Sequence, residues 1–361
     1  MREETSVNLF YTVDDRFVPQ LGAAVCSVCE NNRDAEEIVF YAGILEVSKT
    51  HQAQLRALAS RYGREIVFLP IDHLEERMGF AFDSLGWNEV VVARLLMDRL
   101  LPESVSRVLY LDADTVVRGS LRELWETDLG GCPLGMVAEP TANHARKKAL
   151  GLEKLPYFNS GVLLIDLARW REEETGKQIL DFYRSRGGRL FAPDQDAING
   201  ALAGRIFELS PKYNFFNVFW YYPYRTLVKI SRPAPYLEEG AFRDAASDPR
   251  IIHFLGEDRP WRRGNTHRYT ELYQRYLAMT PWKDQPQEEG WETYFTLYGL
   301  FWKILKPFPM LQYRIIDGLI PLVMAWRKRR RRKTEPAGAG DEACRPWDGS
   351  ESETKAENSV Q

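Results

Sequence analysis

The sequence predicts an α/β fold: a mainly parallel sheet flanked by helices, followed by a C-terminal amphipathic helical extension. Three observations carry that reading. Apolar runs of strand length alternate with helical patterns through the first half of the chain. Aspartates stand at the ends of several of these runs, on the rim where parallel sheets bind ligands. From Trp291 onward the composition turns aromatic and aliphatic, and then strongly basic.

The first strand is "VNLFYTV" (7–13), directly after a polar "MREETS" that has none of the features of a signal peptide. A helix is expected over 19–30, where Pro19 suits the first turn. "EEIVFYAGIL" (36–45) is the second strand, 48–62 carries a helical pattern, and "EIVFLPI" (65–71) is the third strand. A helix over 88–101 leads to "RVLYLDAD" (107–114), another buried strand. Shorter strands follow at "LGMVAE" and "SGVLLID", then a helix over 169–185 and a strand at "IIHFLG" (251–256). The aromatic segments "WETYFTLYGLFWKILK" and "MLQYRIIDGLIPLVMAW" are broken at "PFP" and Pro321, and end in seven basic residues, 327–333. Residues 334–361, rich in Glu, Ser, Gly and Ala, read as a disordered acidic tail. The expected organisation is a catalytic domain over 1–285, an amphipathic and basic segment over 286–333, and that tail.

A chain of 361 residues with 44% hydrophobic and 27% charged residues buries a real core. Its net charge of −3 excludes a globally basic nucleic-acid binder. Four cysteines, Cys26, Cys29, Cys132 and Cys344, form no regular framework and indicate a reducing compartment. Cys26 and Cys29 share a helix face and read as packing, since no second pair or histidine cluster accompanies them. No stretch reaches the roughly 18 apolar residues of a spanning helix, so the body is expected in the cytoplasm.

The chemistry centres on "YLDADTV" (110–116). Residues i and i+2 of an extended strand end point to one side, so Asp112 and Asp114 converge. Paired acids repel and are costly to desolvate, which calls for a positive partner. Their oxygens suit a hard divalent cation, which in turn binds phosphate oxygens. Two enzyme classes fit. The "DADTV" run (112–116) after a buried strand resembles the nucleophile motif of haloacid-dehalogenase-type phosphatases, with Asp112 accepting the phosphoryl group. It equally resembles the metal-holding D-x-D of nucleotide-sugar glycosyltransferases.

Five stretches in order favour the second class: "FYTVDDRFVPQLGAAVCSVCENN", "RVLYLDADTVVRGSLRELW", "YFNSGVLLIDLARWR", "PDQDAINGAL" and "IIHFLGEDRPW". Over roughly residues 7 to 275 the chain resembles family 8 glycosyltransferases, a retaining group of GT-A (Rossmann-like) fold with a mixed, mainly parallel sheet. The resemblance implies a metal-dependent transfer of galactose or glucose from a UDP-sugar. It makes Asp112, Asp114 and His253 the ligands of Mn²⁺ or Mg²⁺. It places Thr12, Asp14 and Phe17 at uracil and ribose, with Ala113 of the D-x-D beside the nucleotide and Arg94 near the donor sugar and phosphates. Glu139 and Asn159 match hexose contacts, and Gly256 and Arg259 a loop closing on the diphosphate. Asp194, Gln195 and Asp196 fall beside the anomeric carbon. Three positions depart from the family pattern: Arg16 replaces a small polar residue, Glu139 an aspartate, and Arg259 a lysine.

On the residues alone, plainer readings stand beside these. Asp14 is an N-cap before Pro19, His253 a rim or core histidine, Arg94 solvated, and "PDQD" a set of acids favoured by a helix dipole. Gln195 is a poor nucleophile, so same-face attack by the acceptor is preferred to double displacement. The C-terminal segment suits either an anionic bilayer or docking on the domain. The first option implies a glycan or glycolipid acceptor, as in lipopolysaccharide synthesis, and a peripheral position on the inner face of the cytoplasmic membrane. Self-association stays open, and a nucleotide-sugar binding protein without turnover is a further alternative.

Overall fold

The computed structural model describes residues 6–334. Ten strands form two sheets: β1 (Ser6–Asp14), β2 (Glu37–Leu45), β3 (Glu65–Pro70), β4 (Arg107–Leu111), β5 (Thr115–Val117), β6 (Leu134–Ala138), β7 (Phe158–Asp166), β8 (Ile206–Leu209), β9 (Phe215–Phe216) and β10 (Ile251–His253). The large sheet has the order β3-β2-β1-β4-β7-β6-β8, and the small one β5-β10-β9. Strands β3, β2, β1 and β4 run parallel, whereas β7 is antiparallel to both β4 and β6. The sheet is therefore mixed and mainly parallel, as the sequence predicts.

Alternation explains how one strand feeds two cores. Leu9 and Tyr11 of β1 join Leu109 and Leu111 of β4 on one face, while Phe10, Val108 and Tyr110 pack on the other. Both faces are covered, which is why these strands read as continuous apolar runs rather than alternating ones. Strand order reverses between β1 and β4, because β1 connects outward to β2 and β3 whereas β4 lies on its other side. The C-terminal ends of β1 and β4 at this switch point form the crevice in which such sheets bind ligands.

Two helical expectations are refined. The run 88–101 is a tight 3-10 stretch, Glu89–Leu96, with a short α-helix Met97–Leu100 behind it. Val90, Val91 and Val92 are β-branched and poorly suited to an α-helix, and Asn88 caps the start by accepting from the N–H of Val90. The run 169–185 divides into Leu167–Glu172 and Thr175–Ser185 around Glu174, which takes a φ of 51°. Cys26 and Cys29 are buried thiols on helix Val18–Asn31 and belong to the core.

The chain divides into two compact units after Gly318. In the first, helix Glu292–Leu305 stacks Trp302 on Tyr221 at 4.1 Å between ring centroids and buries Phe295. Its neighbours Leu297, Leu300 and Ile304 are exposed, as are Phe308 and Leu311. Helix Pro309–Thr334 follows and carries the basic run. Among the described residues no helix is long and apolar enough to cross a membrane. The expected tail beyond Thr334, with Cys344, lies outside the described residues.

Candidate active site

The turn after β4 brings Asp112 and Asp114 to the rim. Thr115 closes this turn, donating both its N–H and its Oγ1 to the carbonyl of Asp112 at 3.1 and 2.8 Å. That accounts for Thr115, directly after the D-x-D, without any phosphoryl chemistry. His253 ends β10, opposite Thr115 in the small sheet. Its Nε2 lies 3.3 Å from Asp114 Oδ1 and 3.7 Å from Asp112 Oδ2. One ligand atom from each of the three falls within 4.8 Å of the others.

Amide chemistry fixes the imidazole. Asn214 donates through Nδ2 to Asn159 Oδ1 at 2.8 Å, so its own Oδ1 is the acceptor for His253 Nδ1–H at 2.9 Å. Nε2 is the nitrogen left to face the carboxylates: it donates to them when the ring is protonated and offers its lone pair to a metal in the neutral tautomer. Gly161 makes the space: a Cβ there would meet His253 Cε1 at 2.2 Å and Asp112 Oδ2 at 2.9 Å. Two carboxylates, a neutral imidazole and a glycine-made gap suit a divalent cation, with a mixed oxygen and nitrogen donor set. Burial raises the Asp112 carboxyl against the pull of Arg94, whereas at Asp114 His253 and Arg259 outweigh burial and lower it. Burial opposes the imidazolium of His253, but the two aspartates prevail and raise its pKa.

Arg94 joins this cluster to "PDQD". It is 3% exposed, far from a solvated arginine. Nη2 meets Asp112 Oδ1 at 2.8 Å, Nε meets Asp194 Oδ2 at 3.1 Å, and Nη1 donates to the Ser160 carbonyl at 2.6 Å. The guanidinium also lies 4.4 Å from the ring centroid of Tyr110. Tyr110 donates to Asp112 Oδ1 at 2.8 Å and accepts from Thr12 Oγ1 at 3.0 Å.

Helix Pro193–Ala201 starts with proline at its first turn and presents the three polar residues, all buried. Asp194 also accepts from Ser160 Oγ at 2.7 Å. Gln195 Oε1 accepts from the Ser160 N–H at 3.0 Å and from Asn159 Nδ2 at 3.1 Å; its Nε2 donates to Glu139 Oε2 at 3.1 Å and Tyr157 at 3.0 Å. Asp196 Oδ1 accepts from Tyr157 at 2.7 Å and Arg146 Nε at 2.8 Å, and Oδ2 from the Ala192 N–H at 3.0 Å. Glu139 is half-buried and also receives Asn159 Nδ2 at 3.0 Å.

On the opposite side Asp14 does cap a turn, accepting from Phe17 N–H at 3.1 Å, and it also binds Asn88 Nδ2 at 2.7 Å. Arg16 is exposed and pairs with Asp14 at 3.2 Å. Phe17 packs edge-on to Trp261 at 5.9 Å, and the Arg259 guanidinium lies 5.3 Å from the Phe17 centroid. Arg259 Nη2 reaches Asp114 Oδ2 at 3.2 Å, while its buried Nε has no partner among the described residues. Gly256 takes a φ of 75°, in the left-handed region that favours glycine. Ala113 is buried between the two aspartates. Sequence reasoning missed Tyr110, Arg146, Tyr157, Ser160 and Asn214. Of these Tyr110, Tyr157 and Ser160 stood inside quoted motifs and were passed over, whereas Arg146 and Asn214 lie outside every motif.

Residues 8–265 match the family profile described as Glycosyl transferase family 8, and the chain belongs to that family. General stress protein A of Bacillus subtilis is 25% identical over 286 residues, covering 78% of this chain and 96% of that one. Lipopolysaccharide 1,2-glucosyltransferase of Escherichia coli is 26% identical, with 79% and 81% covered. A solved galactosyltransferase, LgtC, in complex with donor and acceptor sugar analogues superposes with a TM-score of 0.65 at 25% identity, covering 80% of this chain and 99% of that one. The protein is thus a glycosyltransferase, and neither a phosphatase built on Asp112 nor a binding protein without turnover is favoured.

Arg94→Met should cost about 3–5 kcal/mol of stability, because Asp112 and Asp194 then keep their burial and lose their cation. Urea denaturation reads this directly; a change under about 1 kcal/mol would show the bridge to be dispensable. Metal affinity should depend on pH. Folding raises the His253 pKa above 6.5, so in the metal-free protein its contribution is full below that value and lost as pH rises through the folded pKa. A cation competes with the same proton, so affinity should rise with pH and binding should release protons. Calorimetry in buffers of different ionisation enthalpy measures that release, and its absence near neutral pH would show that the aspartates do not hold a proton on His253 there.

Proposed function

We propose that this enzyme transfers galactose or glucose from its UDP-sugar, with retention, to a glycan or glycolipid acceptor, using Mn²⁺ or Mg²⁺ at Asp112, Asp114 and His253. The observation that carries this is the bridge through Arg94: a divalent-cation cluster and a buried Asp-Gln-Asp floor share one crevice. A divalent cation held there supplies positive charge to the donor diphosphate. The mixed donor set favours Mn²⁺ over Mg²⁺.

The chain's own residues divide the remaining work. Phe17 offers its ring to uracil, and Thr12, Asp14 and Ala113 shape the nucleotide end. Arg259 stabilises charge growing on the departing UDP; its unpartnered Nε and its second-row contact with Asp114 leave donors for phosphate oxygens. Gly256 gives its loop the backbone freedom to close. Arg94 acts from beneath the site, holding Asp112 and Asp194 rather than reaching the sugar. Asn159 and Glu139 address hexose hydroxyls.

Retention needs either an enzyme nucleophile or attack from the leaving-group face. Every carboxylate oxygen of Asp196 is engaged, as is Asp194 Oδ2, and the Gln195 carbonyl accepts from two groups. These bonds hold Asp196 and the Gln195 carbonyl away from nucleophilic attack, which supports same-face attack by the acceptor hydroxyl. Lipopolysaccharide glucosyl- and galactosyltransferases among the relatives support a glycolipid or cell-surface polysaccharide acceptor. Leu297, Leu300 and Ile304 recur at helical spacing on an exposed face, and the basic run follows at 327–333. Such a segment suits an anionic bilayer, at about 1 kcal/mol per basic residue near the surface. Residues 291–333 are accordingly a peripheral anchor on the inner face of the cytoplasmic membrane.

Incubation with a panel of UDP-sugars should give UDP release with one hexose donor in the presence of Mn²⁺ and none in EDTA. Asp114→Asn should lower that rate about a hundredfold or more. Inorganic phosphate from phosphomonoesters with no UDP would overturn the reading. For the anchor, co-sedimentation should show salt-sensitive binding to phosphatidylglycerol vesicles and little to phosphatidylcholine. Equal, weak partition to both would assign the helices to packing alone.

A further inference from the structure

The loop after β6 carries Glu139 into the site and then enters the short helix His144–Ala149. Asn143 caps that helix, accepting the N–H of Arg146 on Oδ1 at 2.9 Å. The other half of the Asn143 amide is used too: Nδ2 donates to Asp317 Oδ1 at 2.8 Å. Asp317 belongs to helix Pro309–Thr334, beyond the end of the family match at residue 265. Four residues earlier, one turn away on the same face, Tyr313 donates to the Thr141 carbonyl at 3.4 Å.

Arg146 is the next link. Its guanidinium is sandwiched between aromatic rings, 4.6 Å from the centroid of Tyr157 and 4.8 Å from that of Phe191. Nε donates to Asp196 at 2.8 Å and Nη2 donates to the Tyr157 oxygen. That oxygen gives its proton to Asp196 and accepts Gln195 Nε2 at 3.0 Å, so the orientation of the Gln195 amide depends on where Arg146 holds Tyr157. We infer that Asp317 is a positioning residue: through Asn143 and Arg146 the C-terminal helix sets the alignment of Tyr157, Asp196 and Gln195. Arg146, which no sequence motif marks, is the side chain by which this support reaches the floor of the site.

The metal cluster lies at the far end of this chain of contacts: it is linked to Asp194 through Arg94 and to Gln195 through Asn159 and Asn214, and it is held in place by Arg94, Tyr110 and Asn214. Loss of Asp317 should therefore loosen one wall and leave the other. Hydrogen exchange on the full-length protein tests this without any activity. In Asp317→Ala, amides of 144–150 and of 192–196 should exchange about tenfold faster, as expected for losing one hydrogen bond to a charged group, while 107–114 is unchanged. Asp317→Asn keeps an oxygen acceptor and should resemble wild type. The kinetic arm alone rests on the transferase reading: kcat for UDP release should fall about tenfold in Asp317→Ala, with KM for the UDP-hexose within about twofold. Unchanged exchange at 144–150 or 192–196, an equal rise at 107–114, or Asp317→Asn behaving as alanine would overturn the inference. No UDP release by the wild-type protein would instead refute the transferase reading, and exchange would still decide the role of Asp317.

Discussion

Arg94 is the constraint on which the site depends. A guanidinium 3% exposed is tolerable only if its donors are spent, and this one spends them on Asp112, Asp194, the Ser160 carbonyl and the Val91 carbonyl. Its partners come from β4, β7 and helix Pro193–Ala201, which are remote in sequence. The 3-10 stretch Glu89–Leu96 lies where one bulky cation must enter between two acids. The charge balance also explains how two aspartates survive at a strand end: Asp112 is neutralised from below by Arg94, and Asp114 from the side by His253 and Arg259.

A second layer is made of neutral amides. Asn159 sits at its centre, accepting from Asn214 and the Gly161 N–H while donating to Glu139 and Gln195. Each of these amides has its oxygen and nitrogen fixed by its neighbours, so the chain from His253 to Gln195 has one consistent hydrogen-bond direction. The imidazole tautomer and the orientation of the Gln195 carbonyl are thus settled together. A residue that only contacted sugar could be exchanged locally; Asn159 cannot be, because four neighbours read its orientation.

The strands and the rim were legible because their signals are local. Buried parallel strands announce themselves as apolar runs, and acids after such runs mark the crevice. Pro19 and Pro193 marked helix starts, and Ser48 caps a helix where expected. The D-x-D, His253 and "PDQD" were legible as a set through family resemblance, and the crevice does gather them. What was not legible is what depends on packing. Arg94 on its own reads as a solvated helix residue; only the fold shows it buried. The 3-10 form of 89–96, with its three β-branched valines, and the break at Glu174 are backbone choices that a hydrophobic period does not encode. Arg146 and Asn214 carry no motif, because their roles come from meeting Asp196 and His253 across the fold.

The two walls of the crevice are therefore built differently. Asp14, Asp112, Asp114 and His253 end strands or lie in the turn after one, so the side that carries the Asp-Asp-His cluster inherits the rigidity of two sheets. Glu139 directly follows β6 and Tyr157 directly precedes β7, joined by the Glu139 N–H to the Tyr157 carbonyl at 2.7 Å, whereas Arg146 lies on the short helix of the excursion between them. That excursion needs support from outside the sheet, and its cap Asn143 finds it in Asp317. That contact gives the start of the C-terminal helix a structural role on the catalytic unit. The same helix that carries the basic run also meets, through Asp317 and Tyr313, the excursion that carries Arg146.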